Sequence, residues 1–242
     1  MQEFTANTFG ERFAETYDQG HERADTPATV TFLEQLAAGG PTLELAVGTG
    51  RVALPLARRG VPVTGLEISP EMVAKLRAKP GGDQLPVVMG DLAAVPVVGT
   101  FRLVYLVFNT LFNLVTQAAQ ARCFQSVAAH LTEHGMFVVE AFVPEPARYC
   151  DGQEVRTASV AVDEVWLDVT RHDALAQRLD ISHVRLSAAG VQLYPVVLRY
   201  AWPSELDLMA QLAGLRLKER WGGWEREPFT ATSRAHVSIY GR

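Results

Sequence analysis

The sequence is poor in cysteine and contains no long apolar segment. Its two cysteines, Cys123 and Cys150, are too few for a disulfide framework. No apolar run reaches the roughly 20 residues that a bilayer span needs. The N-terminal segment lacks the basic start and the apolar centre of a signal peptide. We therefore expect a cytoplasmic protein without a membrane partner.

Positive charge and several catalytic signatures are also scarce. The net charge is −5, and the densest basic cluster, Arg216, Lys218 and Arg220, alternates along a predicted strand as a solvated face would. Phosphate binding needs a concentrated basic face, so we expect no nucleic-acid partner. The sequence contains no Ser-His-Asp order, no metal-ligand spacing and no P-loop. Hydrolase, kinase and metal-site interpretations therefore have no support.

Apolar residues are abundant, and one stretch organises the chain. An apolar fraction of 48% in 242 residues predicts one domain with an appended subdomain. Between Thr42 and Lys79 the pattern predicts strand, glycine turn, helix, strand and helix. Ser69 can cap the last of these helices, with Pro70 at its first position. The elements of this unit are predicted at Thr42–Val47, Val52–Arg59 and Val61–Ile68, followed by the capped helix.

Glycines and a carboxylate in this unit predict a nucleoside site. The glycines of the turn let a ligand approach the backbone, and the helix behind them offers free N–H groups. Glu67, at the tip of the second strand, can accept both hydroxyls of a ribose. The spacing Gly48-x-Gly50-x-x-Ala53 also fits the dinucleotide fingerprint, so spacing alone leaves NAD and S-adenosylmethionine open.

Two acids favour S-adenosylmethionine over NAD. Glu44 lies in the first strand just before the glycines, where it can attract the ammonium of a methionine moiety but would repel a pyrophosphate. Asp91 closes a third predicted strand, Pro86–Gly90, and Gly90-Asp91-Leu92 can bracket an adenine. The chain is also too short for a dinucleotide domain plus a large catalytic domain.

Three motifs in order resemble those of a known family. Glu44-Leu-Ala-Val-Gly-Thr-Gly50, Glu67-Ile-Ser-Pro70 and Gly90-Asp91-Leu92 look like the successive motifs of class I S-adenosylmethionine-dependent methyltransferases, over residues 42–143. The flanking regions are similar to small-molecule members, including amino-sugar N-methyltransferases. Tyr17 resembles the tyrosine that there reaches the methionine carboxylate, or else completes an aromatic face. The predicted cofactor-binding residues are Tyr17, Glu44, Ala46, Gly48, Gly50, Glu67, Ile68, Asp91, Leu92, Phe108 and Asn109.

The resemblance implies an α/β fold around a seven-stranded Rossmann-like sheet whose last strand is antiparallel. Residues 1–40 are expected to form an N-terminal helical lid, 41–150 the cofactor-binding core, 151–202 an antiparallel β insertion that roofs the substrate, and 203–242 a closing helix and β-hairpin. The chain ends with two strands and no helix between them, which a dinucleotide-binding fold does not match. Further strands are predicted at Phe101–Phe108, Met136–Val143, Val155–Ala161, Val165–Arg171, Arg178–Leu186, Val191–Ala201, Leu215–Trp221 and His236–Tyr240, and helices at Thr116–His134 and Glu205–Ala213.

The methyl acceptor should lie outside the carboxyl ends of the strands. There Phe112 would wall the pocket and Asn113 would bind substrate, together with three residues from the end of the insertion: Arg199, Tyr200 and Trp202. Methyltransferases that act on nucleic-acid bases carry an Asn/Asp-Pro-Pro-aromatic tetrapeptide at this point. This chain has Asn109-Thr-Leu-Phe112 instead, which counts against base methylation.

The catalytic residues depend on the nucleophile. An amine needs no strong base, whereas a hydroxyl would profit from one, and the candidates are His172, Glu140 and His183. His172 can equally open a turn, and Glu140, inside an apolar strand, can equally be bonded to a neighbouring N–H.

The sequence therefore predicts in-line methyl transfer to nitrogen or oxygen of a small molecule, such as an amino sugar or another secondary metabolite. Two alternatives are an NAD-dependent oxidoreductase and a protein that uses S-adenosylmethionine in a cyclisation without methylating. The expected partner is a small-molecule methyl acceptor. An exposed antiparallel sheet would also suit a homodimer contact.

Overall fold

A computed structural model describes residue 18 and residues 23–242. Five α-helices lie in the described residues: α1 (Thr26–Ala37), α2 (Ala53–Arg58), α3 (Pro70–Arg77), α4 (Gln117–His130) and α5 (Pro203–Leu212). The strands are β1 (Thr42–Leu45), β2 (Val63–Glu67), β3 (Val87–Met89), β4 (Phe101–Leu106), β5 (Leu131–Phe142), β6 (Gln153–Val160), β7 (Glu164–Asp173), β8 (Arg178–Ser187), β9 (Gly190–Arg199), β10 (Arg216–Trp221) and β11 (Ala235–Gly241). In the part of the chain covered here, no helix has both the length and the apolar composition of a membrane span.

The main sheet has seven strands in the order β10-β11-β5-β4-β1-β2-β3. Strands β1 to β5 pair in parallel, whereas β11 runs antiparallel to both β5 and β10. The predicted antiparallel last strand is confirmed. From β1 the chain continues to β2, which pairs with one edge of β1, and the later strand β4 pairs with the opposite edge of β1. This reversal opens a crevice at the carboxyl ends of the central strands.

Helices cover both faces of this sheet. Along β4, Val104 and Leu106 pack into the cluster that contains α4 and α5, and Leu103 and Tyr105 pack into the cluster of α1 and α2. Both sets of side chains are buried. This two-sided burial explains why the parallel strands are continuous apolar runs in the sequence rather than alternating ones.

Part of the predicted N-terminal lid belongs to this layer. In α1, Phe32 and Leu33 are buried in the cluster that includes Leu56 of α2 and Trp224. The ring of Phe32 meets that of Trp224 edge to face at 5.4 Å between centroids. Residues 1–17, including Tyr17, and residues 19–22 of the predicted lid lie outside the described residues.

The predicted antiparallel insertion is confirmed as a second sheet of four strands in the order β6-β7-β8-β9. It is a meander in which each strand pairs with the next one along the chain. Several helix boundaries differ from the prediction by one or two residues, and one differs by four. The helix predicted to reach His134 ends at His130, because Leu131 already pairs with Phe101 as the first residue of β5.

A buried polar network joins the insertion to the core. Arg199, at the end of β9, is only 5% exposed. Its guanidinium donates to Gln120 of α4 at 2.7 Å, to Glu205 of α5 at 2.7 Å and to Gln177 at 3.1 Å. Gln120 in turn donates to the carbonyl oxygen of Arg199 at 2.7 Å. The network therefore connects the second sheet to two helices of the core.

Replacing Arg199 with methionine should lower the free energy of unfolding by about 3–5 kcal/mol, because Glu205 and Gln120 would lose their partner in a buried site. Urea unfolding measures this loss. The matched control is Arg178→Met, which removes an exposed arginine paired with Asp180 and should cost at most about 1 kcal/mol. Equal losses in the two variants would contradict the structural role of the Arg199 network.

His236 of β11 is fully buried. Its Nδ1 lies 2.8 Å from the hydroxyl oxygen of Ser238. The pKa of this imidazole is lowered from 6.5 to about 4, mainly by burial and also by the charge of Arg220, while the charge of Asp207 opposes the shift. The folded protein therefore holds His236 neutral at a pH where an unfolded chain would protonate it.

This difference predicts a pH-dependent stability. Between pH 6.5 and pH 4 the unfolded state binds the extra proton, so the free energy of unfolding should fall by about 3 kcal/mol as the pH drops through that window. Urea unfolding at pH 7 and pH 4.5 measures the loss. The variant His236→Asn should lose less over the same interval. An identical pH dependence in both proteins would show that His236 does not cause it.

Candidate functional site

A cleft of about 530 Å³ lies between the carboxyl ends of β1 to β5 and the inward face of the second sheet. This volume is typical of a small-molecule site. Nine residues predicted to bind cofactor or substrate line the cleft: Ala46, Gly48, Glu67, Ile68, Asp91, Leu92, Phe108, Asn109 and Asn113.

The turn after β1 brings its backbone to the cleft. Ala46 and Gly48 both have φ near +55°, in the left-handed region. A Cβ atom on Gly48 would meet nothing within 4 Å, whereas one on Gly50 would come within 2.9 Å of the Leu54 side chain. Gly48 therefore leaves open space on the cleft side, and Gly50 permits close packing of α2. Gly50 does not line the cleft.

Glu67 is held at the tip of β2 by three backbone donors. Its Oε2 accepts the N–H of Gly48 at 2.8 Å, and its Oε1 accepts those of Ile68 and Ser69 at 2.9 Å. A carboxylate has about four lone-pair sites, so it can accept a further hydroxyl from a ligand. The predicted cap is also confirmed, since the Ser69 hydroxyl accepts the N–H of Met72 at 3.1 Å.

Glu44 lies behind the turn and does not line the cleft. Its carboxyl group is buried and accepts the hydroxyl of Tyr105 at 2.8 Å. Burial raises the pKa of Glu44 to about 8, against the Tyr105 hydrogen bond and the charge of Arg51, which both lower it. The predicted attraction of Glu44 for the ammonium of a methionine moiety stays a prediction, and such an effect would act from behind the cleft wall.

A second left-handed turn follows β4. Phe108 and Asn109 have φ of 57° and 62°. The Phe108 N–H donates to Oε2 of Glu140 at 2.7 Å, and Asn109 Oδ1 accepts the N–H of Phe142 at 2.7 Å. Arg23 donates to the other oxygen of Glu140 at 3.1 Å. Both carboxylate oxygens of Glu140, a candidate base, are therefore hydrogen-bonded within the protein. This agrees with the alternative prediction that Glu140 is bonded to a neighbouring N–H.

Five other predicted residues lie outside the cleft. Phe112 is fully buried and packs edge to face on Phe142, with 4.9 Å between ring centroids. Arg199 belongs to the buried network described above. The hydroxyl of Tyr200 lies 2.9 Å from Nε2 of His172, and Trp202 is 41% exposed.

The cleft also contains polar residues that were not predicted to bind substrate. They come from the loop after β5 and from the inward face of the second sheet: Arg148, Tyr149, Glu154, Arg156, Asp168 and Thr170. Residues two apart on a strand share a face, so Glu154 with Arg156 and Asp168 with Thr170 could have been grouped from sequence. The sequence could not show which of the two faces points into the cleft, because that depends on how the second sheet packs against the rest of the molecule. His183, the remaining candidate base, lies on that inward face.

Comparisons with known proteins agree with this geometry. A family model described as a methyltransferase domain matches residues 42–135. The structure of the CcbJ methyltransferase from Streptomyces caelestis superposes with a TM-score of 0.93 at 40% identity, covering 98% of this chain and 99% of that one.

Two more distant relatives are similar over most of their length. CalS10 with bound S-adenosylmethionine, an amino pentose methyltransferase from Micromonospora echinaspora, has a TM-score of 0.70 at 21% identity, covering 96% of this chain and 97% of that one. The cypemycin N-terminal methyltransferase of Streptomyces sp is 26% identical over 84% of each chain. Since the 40% identical relative is matched over nearly its whole length and residues from each of the three motifs line one cleft, the chain belongs to the class I S-adenosylmethionine-dependent methyltransferases.

Proposed function

We propose that this methyltransferase acts on an amine nitrogen of a small molecule, with an amino sugar as the first candidate. The proposal rests on one observation, which is that the cleft has two walls of different chemical character. The strand ends form a wall suited to the cofactor, and the inward face of the second sheet forms a polar wall suited to an acceptor.

The cofactor wall fits S-adenosylmethionine in three respects. Glu67 has acceptor capacity for the ribose hydroxyls, Gly48 leaves open space beside the backbone, and Asp91 with Leu92 would border the adenine. Phe108 and Asn109 would lie at the reacting end. Tyr17 remains a predicted contact of the methionine carboxylate. When bound, the cofactor supplies a methyl group that is already activated on a sulfonium.

The names of relatives support nitrogen as the accepting atom. CalS10 is named for an amino pentose, and KedS8 from Streptoalloteichus sp is named as a sugar N-methyltransferase. A glycopeptide N-methyltransferase, MtfA, and the N-terminal methyltransferase of cypemycin also act on nitrogen by their names. These relatives are between 18% and 26% identical to this chain, so they support a class of acceptor and not a particular compound.

The protein's own part in such a reaction is positioning. An activated methyl needs an in-line nucleophile held at the right distance and protected from water, and orientation of this kind supplies about 7–11 kcal/mol. The left-handed turn at Phe108 and Asn109 presents a rigid edge to one reactant. Asn113 on the following 3₁₀ turn and the polar wall of the second sheet would orient the other.

Replacing Glu67 with alanine should weaken binding of S-adenosylhomocysteine by about 10- to 150-fold, which corresponds to about 1.5–3 kcal/mol for charge-assisted hydrogen bonds. Isothermal titration calorimetry measures the affinity, and circular dichroism checks that the variant is folded. The control is Asp83→Ala, which removes an exposed acid that does not line the cleft. Undiminished affinity in the folded Glu67 variant would show that the ribose assignment is wrong.

The acceptor is tested by release of S-adenosylhomocysteine from S-adenosylmethionine in the presence of defined probes. The probes are nucleotide-linked amino sugars, free amino sugars, dipeptides with a free N-terminus, and the matching hydroxyl compounds without the amine. We expect release with amine probes and methylation on nitrogen by mass spectrometry. Release with the hydroxyl compounds alone would overturn the nitrogen assignment.

A further inference from the structure

Three side chains form a row across the inward face of the second sheet. The strand registers place Arg156 of β6 opposite Asp168 of β7, and Asp168 opposite His183 of β8. Nδ1 of His183 lies 2.7 Å from Oδ1 of Asp168, and the guanidinium of Arg156 donates to Oδ2 of Asp168 at 2.6 Å. All three residues line the cleft.

The row determines which ring nitrogen of His183 carries the hydrogen of its bond to Asp168. The hydrogen bond from His183 lowers the pKa of Asp168, and the hydrogen bond and charge of Arg156 lower it further against desolvation. Asp168 is therefore an ionised carboxylate, which can only accept. Nδ1 of His183 must then carry the hydrogen of this bond, and Nε2 becomes the basic nitrogen of the neutral ring.

We infer that His183 is a catalytic base that takes a proton from the acceptor amine, and that Asp168 is its positioning residue. This inference rests on the proposed function. An amine that enters as an ammonium has no lone pair for attack, so it must first lose a proton. Of the three candidate bases from the sequence, His183 lines the cleft, whereas Glu140 and His172 do not.

Protons and electrons are conserved in the proposed methyl transfer. The N–H bond of the ammonium breaks, its electron pair stays on nitrogen, and the proton passes to Nε2 of His183. The resulting imidazolium is stabilised by the Asp168 carboxylate. The nitrogen pair then forms the new bond to the methyl carbon as the carbon–sulfur pair leaves with sulfur. His183, whose side chain is 35% exposed, returns its proton to solvent.

The test compares His183→Ala, His183→Gln and Asp168→Asn with wild type, using the amine probe that gives the highest turnover in the screen above. Release of S-adenosylhomocysteine is followed from pH 6 to pH 10. Both His183 variants should lose about 10²–10⁴-fold in kcat/KM at pH 7. The loss should shrink as the pH rises, because solution then supplies the free amine, and added imidazole should partly restore His183→Ala.

Asp168→Asn should lose less than the His183 variants, since the base remains but its orientation is weakened. The matched control is Asp180→Asn, which changes another arginine-paired aspartate of this sheet that does not line the cleft. It should behave as wild type. Calorimetry with S-adenosylhomocysteine should give the wild-type affinity for all four variants, which separates loss of catalysis from loss of fold.

Each other outcome decides against one of the two proposals. A wild-type rate and pH profile in His183→Ala would overturn the role of His183 and leave amine methylation standing. So would a uniform loss at every pH without rescue by imidazole, which indicates a structural role. If wild type binds S-adenosylhomocysteine but turns over no amine probe, the amine acceptor is wrong, and the base assignment fails with it.

Discussion

The carboxylate of Glu67 connects the two loops on which the cofactor half of the cleft depends. It accepts one N–H from the glycine turn after β1 and two from Ile68 and Ser69, which lie just before α3. An acid at a strand tip would otherwise lose solvation without compensation, and these donors hold it in one place. The same three bonds fix the distance between the turn and the helix. In the proposed function, local folding and cofactor binding would therefore depend on the same side chain.

Non-glycine residues in the left-handed region mark the two strand ends nearest the reaction. Ala46, Phe108 and Asn109 each adopt a backbone conformation that costs on the order of 1–3 kcal/mol. The hydrogen bonds of Glu140 and Asn109 offset part of this cost at the second turn. Strain of this kind is retained where the backbone itself must face a ligand. In this protein it occurs on both sides of the topological reversal between β1 and β4.

The second sheet is anchored at one end, and its strand registers group polar side chains on the face that borders the cleft. The Arg199 network fixes the end of β9 against α4 and α5. The hairpin registers then align Arg156, Asp168 and His183 in one row. None of these three strands could place such a row alone, since each contributes one residue of it.

The sequence by itself determined the parallel core, the glycine turn, the cap at Ser69, the antiparallel end and the four-stranded insertion. Each of these follows from local spacing or from apolar periodicity, which a single chain segment contains. Only the tertiary structure decided that Glu44 lies behind the turn, that Arg199 and Tyr200 point away from the cleft, and that Asp168 and His183 point into it. In a strand with polar residues on both faces, the choice of face depends on how the sheet docks against the rest of the molecule, and alternation along the chain cannot encode that choice.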